Sequence, residues 1–237
     1  MRRIPSNRLV AILGTGLTGL LLNACADQPL APTSPGSSEN ATFQVNAERA
    51  TVGVNWHAQQ AGLGHTGPVD GASASLVRNA NGASFRLTTN SLTAGNAYTL
   101  WLVVINNPEA CANTPCTAPD IFNPATESQV RFAAGHVAGG SGRGTFAGLV
   151  KEGTLSGWIP DRSFEDASSV EVHLVINDHG PKLPEFMPGM IHTYRGGCSN
   201  GSPFPAFFPA TALADGEVGP NTCRLYQAAI FLAPLGG

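Results

Sequence analysis

Charged residues are few in this chain. Asp, Glu, Lys and Arg make up 12% of its 237 residues, about half the usual share. Thirteen Lys and Arg stand against sixteen Asp and Glu, and they form no basic cluster in the body of the chain. That excludes the cationic stripe with which proteins neutralise nucleic-acid phosphates or anionic lipid. Met, Tyr and Trp number three each. Glu, Lys, Met and Gln, the good helix formers, are sparse, and no stretch places apolar residues at helical spacing. Amphipathic helices are therefore excluded as the main elements. No apolar run reaches the roughly twenty residues of a membrane-spanning helix. There is no internal repeat and no Cys-x-x-Cys, which excludes solenoids and zinc knuckles. What the chain has is 28 glycines, 18 prolines and 11 phenylalanines, with many Val, Thr and Ser. Short strands joined by turns follow from that composition.

Three arginines, Arg2, Arg3 and Arg8, precede an uncharged segment from Leu9 to Leu22. A positive start followed by an apolar run of about fourteen residues is the layout of a secretory signal. The run ends in Leu22-Asn23-Ala24-Cys25, which resembles the lipobox of bacterial lipoproteins. The resemblance implies cleavage before Cys25, a diacylglyceryl group on its sulfur and a permanent membrane anchor. Ala26, where inner-membrane lipoproteins of Gram-negative cells carry Asp, implies the outer membrane of the cell envelope. The alternative is simple secretion with Cys25 left free. On the lipoprotein reading, residues 1–24 are leader. Residues 25–41, with Pro29, Pro32 and Pro35, are the lipidated cysteine and a flexible tether. Residues 42–237 are one folded domain. Losing three of thirteen basic residues leaves ten against sixteen acidic ones, a net charge of −6.

With Cys25 assigned to lipid, Cys111, Cys116, Cys198 and Cys223 remain. An even number in an exported protein reads as two disulfides. Of three pairings, Cys111–Cys116 with Cys198–Cys223 is expected, because each closes a local loop rich in Pro and Gly.

The strand pattern is clearest in three places. Ala72–Arg78 and Ala83–Thr89 flank Asn79-Ala80-Asn81-Gly82, a hairpin signal. In Tyr98–Ile105, apolar residues occupy both alternating faces, so this strand is expected to be central and covered on both sides. In Val170–Asn177, Val170, Val172, Leu174 and Ile176 form one apolar face, opposite Glu171, His173, Val175 and Asn177. Further strands are expected within Thr42–Trp56 (with a bulge or turn near Glu48-Arg49), Gln129–Ala134, Met190–Tyr194 and Thr222–Leu232, and a hairpin at Thr145–Val150 and Gly153–Ile159. Nine or ten short strands without helices predict an all-β antiparallel sandwich, immunoglobulin-like or Greek-key, with a closed barrel as the alternative.

Two literal motif matches fall in the wrong surroundings. Gly62-Leu-Gly-His-Thr-Gly67 has the dinucleotide-binding spacing but no following helix. Gly197-Cys-Ser-Asn-Gly201 has the nucleophile-elbow spacing but sits in a Pro/Gly loop beside a bridged cysteine. The histidines are the better chemical lead. His136, His173, His179 and His192 are candidate ligands for copper or zinc. Six residues separate His173 from His179, about 20 Å in an extended strand, so sharing an ion requires the strand to end near Asn177-Asp178. Otherwise each imidazole rests on a backbone carbonyl or in solvent. Glu171, Asp178, Asp161, Glu165 and Asp166 are candidate carboxylates, with surface solvation as the alternative. Trp56, Trp101 and Trp158 read as core.

The blocks Tyr98–Cys111, Ala133–Gly148 and Glu171–Pro181 resemble an uncharacterised family of exported bacterial β-sandwich proteins, and His173 to His179-Gly180-Pro181 resembles the His-x-His-Gly-Pro element of extracellular CHRD β-domains, at a different spacing. These likenesses imply a fold and no activity. The expectation is a membrane-anchored, non-catalytic envelope module without a cofactor, presenting loops to a protein, a glycan or a small ligand and not to nucleic acid. A histidine-based metal-binding or redox protein is the alternative.

Overall fold

Ten consecutive residues, Asn96–Ile105, are all buried, which only a strand covered on both faces allows. A computed structural model describes residues 47–205, 208 and 215–234. The leader, Cys25, the tether and the first residues of the expected opening strand lie outside the described residues. In chain order the strands are β1 (Glu48–Trp56), β2 (Pro68–Asn79), β3 (Gly82–Thr89), β4 (Asn96–Ile105), β5 (Gln129–Val137), β6 (Gly144–Lys151), β7 (Gly153–Thr154), β8 (Ser163–Phe164), β9 (Glu171–Pro181) and β10 (Arg224–Phe231). Eight of them form one sheet in the order β5-β4-β9-β10-β1-β2-β3-β6, and β7 pairs with β8. These pairings are antiparallel. No helix among the described residues is long and apolar enough to cross a membrane.

The sheet is folded over on itself. Registered contact between β1 and β10 amounts to Asn55–Ala228 and Trp56–Gln227, so little backbone pairing holds the two halves coplanar there. Leu100, Leu102, Leu174 and Ile176 of one half meet Leu76, Phe85, Leu87 and Phe146 of the other in a common core. The result is the expected antiparallel sandwich, built from one continuous sheet. Chain crossings between the halves follow β3, β5 and β6, the last by way of β7 and β8, as in a Greek key. Each large side chain in this core contributes roughly 1.5–3 kcal/mol by leaving water.

The alternation read in the sequence is the alternation observed. Tyr98, Leu100, Leu102 and Val104 enter the core between the halves. Trp101, Val103 and Ile105 point the other way, into a second core under the loops. Both expected disulfides are present, Cys111–Cys116 and Cys198–Cys223. The C-terminal strand is tied down by Arg78, only 1% exposed, which donates to the carbonyls of Leu232 (2.9 Å) and Val170 (3.2 Å).

Several boundaries differ from expectation. The irregularity in β1 falls between Gly53 and Asn55, not at Glu48. The expected hairpin strand Gly153–Ile159 shrinks to β7, and β6 pairs with β3 instead. Met190–Tyr194 is not a strand: a one-turn helix occupies Met187–Met190 and turns follow. In the β2–β3 hairpin Asn79 pairs with Gly82, so Ala80-Asn81 is the turn and Gly82 is already in the strand. Its glycine requirement comes from elsewhere. Gly82 has φ +134, and an added Cβ would overlap the Val150 carbonyl oxygen of β6. Gly82→Ala is expected to cost about 2 kcal/mol in urea unfolding, from backbone strain and the displaced strand; an unchanged midpoint would refute this.

Candidate functional site

The outer face of β4, β9 and β10 is too apolar to face water, and the long connections fold over it. Beneath them lies a cavity of about 370 Å³. Its floor is built from alternate residues of adjacent strands, Trp101 and Val103 with His173 and Val175. Its roof is Trp158, Tyr194 and Phe208. Trp158 packs edge to face on Tyr194 at 4.6 Å and on Phe208 at 5.2 Å, and Trp101 lies tilted against Trp158 at 5.2 Å. The Trp158 indole nitrogen and the Tyr194 hydroxyl are buried without a hydrogen-bond partner among the described residues, an arrangement that costs about 1–3 kcal/mol per group.

Short polar ties hold the roof. The buried Gln129 side chain donates to the carbonyls of Leu155 and Ile159 at 2.8 and 2.7 Å and accepts from the Ile159 N–H at 3.0 Å. The Trp158 N–H donates to the Val130 carbonyl at 2.9 Å. Asp120 accepts from the N–H groups of Ala112 and Thr117, and these bonds hold its carboxyl below the usual range. They shape the loop closed by Cys111–Cys116.

His173, on the floor of the cavity, is paired with a carboxylate, Glu171, which lines the neighbouring larger groove and not this cavity. Glu171 is 2% exposed, not solvated as the sequence suggested. It accepts from His173 Nε2 at 2.6 Å and from the Cys116 N–H at 2.8 Å. A carboxylate only accepts, so Nε2 carries a hydrogen, and in the neutral form of the ring Nδ1 is then the acceptor. Nδ1 has no partner among the described residues. His57 also lines the cavity; its Nδ1 accepts from the Gln59 N–H at 3.2 Å, and burial lowers its pKa.

The four candidate metal ligands do not meet. β9 runs on to Pro181 instead of turning at Asn177-Asp178, which keeps His173 and His179 apart. His136 pairs with Tyr98, on the opposite face of the sheet, and packs on Phe146. His192 is exposed against Phe132. His179 is fully buried, and both of its nitrogens are engaged. Nδ1 donates to the Gly196 carbonyl at 2.9 Å. Nε2 accepts from the Thr99 hydroxyl at 2.8 Å, which in turn accepts from the Trp101 indole N–H at 2.9 Å. Burial pushes the His179 pKa down to about 4.

One other set has the spacing of a metal site among the described residues. Ligand atoms of His179, Cys198 and Cys223 lie within 4.8 Å of one another. The two sulfurs are bonded to each other, so the set offers no thiolate while that bond is intact. Neither motif match gains support. Gly62-x-Gly64 closes a 3-10 turn and leads into β2. Ser199 joins the bridge to Asn221 through its backbone, with no histidine bonded to it among the described residues. Trp101 and Trp158 are core residues as expected, while Trp56 is half-buried against His65.

A larger, more open groove of about 840 Å³ passes Glu48, Asn107 and Pro234 and has no aromatic wall. The Glu171–His173 pairing was readable, since residues two apart on a strand share a face. Trp158, Tyr194 and Phe208 come from irregular segments, and no pattern in the sequence assigns them to one roof. No protein-family model, curated protein or solved structure matches this chain.

Proposed function

We propose that this protein is a lipid-anchored, non-catalytic binding module of the cell envelope that holds a small, largely apolar ligand beneath its outer loops. The observation that carries this reading is the 370 Å³ aromatic-walled cavity, which falls within the usual size range of small-molecule sites. Attachment through Cys25 rests on the lipobox resemblance and places the cavity at the end of a tether. The unpaired Trp158 and Tyr194 groups beside the cavity favour a ligand with an acceptor, which recovers part of their desolvation cost. Copper or zinc binding through His136, His173, His179 and His192 has no supporting geometry.

Naphthalene is a fitting first probe because it tests apolar volume alone. Ten carbons at roughly 0.7 kcal/mol each, between the limits for very small and drug-sized ligands, give a Kd on the order of 10 µM by calorimetry. Ala228 lines the cavity from β10, and Ala228→Phe is expected to fill it. Affinity should fall at least tenfold while the melting transition persists. If the parent protein takes up no naphthalene, or Ala228→Phe binds it equally well, the cavity is not a ligand site.

A further inference from the structure

We infer that the ligand of this cavity is an aromatic alcohol, a phenol-type molecule whose hydroxyl donates its hydrogen to His173 Nδ1. The inference rests on reading the cavity as a ligand site and adds the chemistry of what enters it.

Two features of the wall define the acceptor. The first is the fixed tautomer. The Glu171 carboxylate, itself held by the Cys116 N–H, takes the Nε2 hydrogen of His173 at 2.6 Å. In the neutral form of the ring the lone pair then lies on Nδ1, and the carboxylate partner at Nε2 makes that nitrogen a better acceptor, as second partners of imidazole generally do. The second is the lack of competition. No protein donor among the described residues reaches Nδ1, and the ring is 7% exposed in a chamber lined mainly by carbon. An acceptor open to an apolar chamber favours a ligand that donates to it. Glu171 does not line this cavity, so a ligand amine carrying a positive charge meets no carboxylate there. A neutral O–H fits the one lone pair offered, and an aromatic body fits walls made of Trp101, Trp158 and Tyr194.

The cavity therefore discriminates between an alcohol and its methyl ether. An ether oxygen brings no hydrogen to Nδ1, and that nitrogen remains unpaired. Sites built around a ligand hydroxyl reject analogues that lack it far more strongly than apolar pockets reject a change of size.

The experiment compares naphthalene, 2-naphthol and 2-methoxynaphthalene by calorimetry on the full folded domain. The parent protein is expected to bind 2-naphthol about tenfold more tightly than 2-methoxynaphthalene. The paired substitution Glu171→Gln with His173→Leu removes the acceptor without stranding a buried charge, and Gln keeps an oxygen for the Cys116 N–H. In that protein the two probes are expected to bind within about twofold of each other. Equal binding of the two probes by the parent protein, alongside naphthalene binding, overturns the inference and leaves the cavity reading standing. Failure of naphthalene itself overturns the cavity reading. A preference that survives the paired substitution also overturns the inference. If that protein does not fold, the nitrogen-15 shift of His173 Nδ1 in the parent decides. It should move on adding 2-naphthol and not on adding the ether, and a shift that is the same for both refutes the assignment.

Discussion

Between pH 4 and pH 6.5, Asp178→Asn is expected to gain about 3 kcal/mol of stability relative to the parent protein, while His179→Gln is expected to lose about 3 kcal/mol over the same interval. The two residues are neighbours on β9 and face opposite sides of the sheet. Burial acts on each against its charged form. The Asp178 carboxyl is pushed up to about 6, despite donors at Gly180 and Asn96. The His179 imidazole is pushed down to about 4. From 3.8 to 6 the folded protein keeps a proton on Asp178 that the unfolded chain releases. Its contribution is present below 3.8 and is lost as pH rises through 6. From 6.5 down to 4 the unfolded chain binds a proton that buried His179 refuses. Its contribution is present above 6.5 and is lost as pH falls through 4. The slopes are opposed and nearly equal, roughly 2.2 and 2.5 pKa units at 1.36 kcal/mol each. Removing either group exposes the other. Other shifted groups, such as His57, are common to parent and variant and cancel in the comparison. Urea unfolding at the two pH limits measures the swing. A stability difference from the parent that is constant across the interval, for either variant, would show that the group titrates alike in the folded and unfolded chain.

The same two residues mark the limit of what could be read beforehand. β4 was legible because both of its faces are apolar, and a strand can be apolar on both faces only if it is covered on both. The disulfides were legible because each pair is close in sequence. The end of β9 was not, because it depends on partners far away. Tyr98 and Thr99 of β4 pair with Asp178 and Asn177 and carry the strand past a sequence that looks like a turn. That extension separates His173 from His179 and removes the shared metal site the spacing had left open. Glu171 was seen on the correct face but assigned to solvent, because nothing local shows that the loop at Cys116 will fold over it. The roof of the cavity was the least legible part. Gly157 allows the chain to lie against Val130, where an added Cβ would overlap the carbonyl oxygen. That fit is a property of two surfaces and leaves no periodic trace in either.

Replacing both Cys198 and Cys223 by alanine is expected to cost about 3.5 kcal/mol of global stability yet change naphthalene affinity less than twofold. The bridge closes a loop across a sequence separation of 25, and in the chain-entropy view its effect is mostly on the unfolded ensemble. In the folded protein the same connection is held independently. Asn177 donates to the Tyr194 carbonyl at 2.8 Å, His179 donates to Gly196, and the Asn221 amide donates to the carbonyls of His179 and Pro181, both at 2.8 Å. These bonds set the position of Tyr194, and hence of the roof, without the sulfur atoms. Asn177→Leu should show the converse pattern. It removes a donor from a buried carbonyl, costs about 1–3 kcal/mol, and weakens naphthalene binding because Tyr194 loses its anchor. Urea unfolding and calorimetry on the two proteins separate the roles. If the cysteine-free protein loses the ligand at concentrations where it remains folded, the bridge shapes the cavity directly and the hydrogen bonds from β9 do not suffice to hold it.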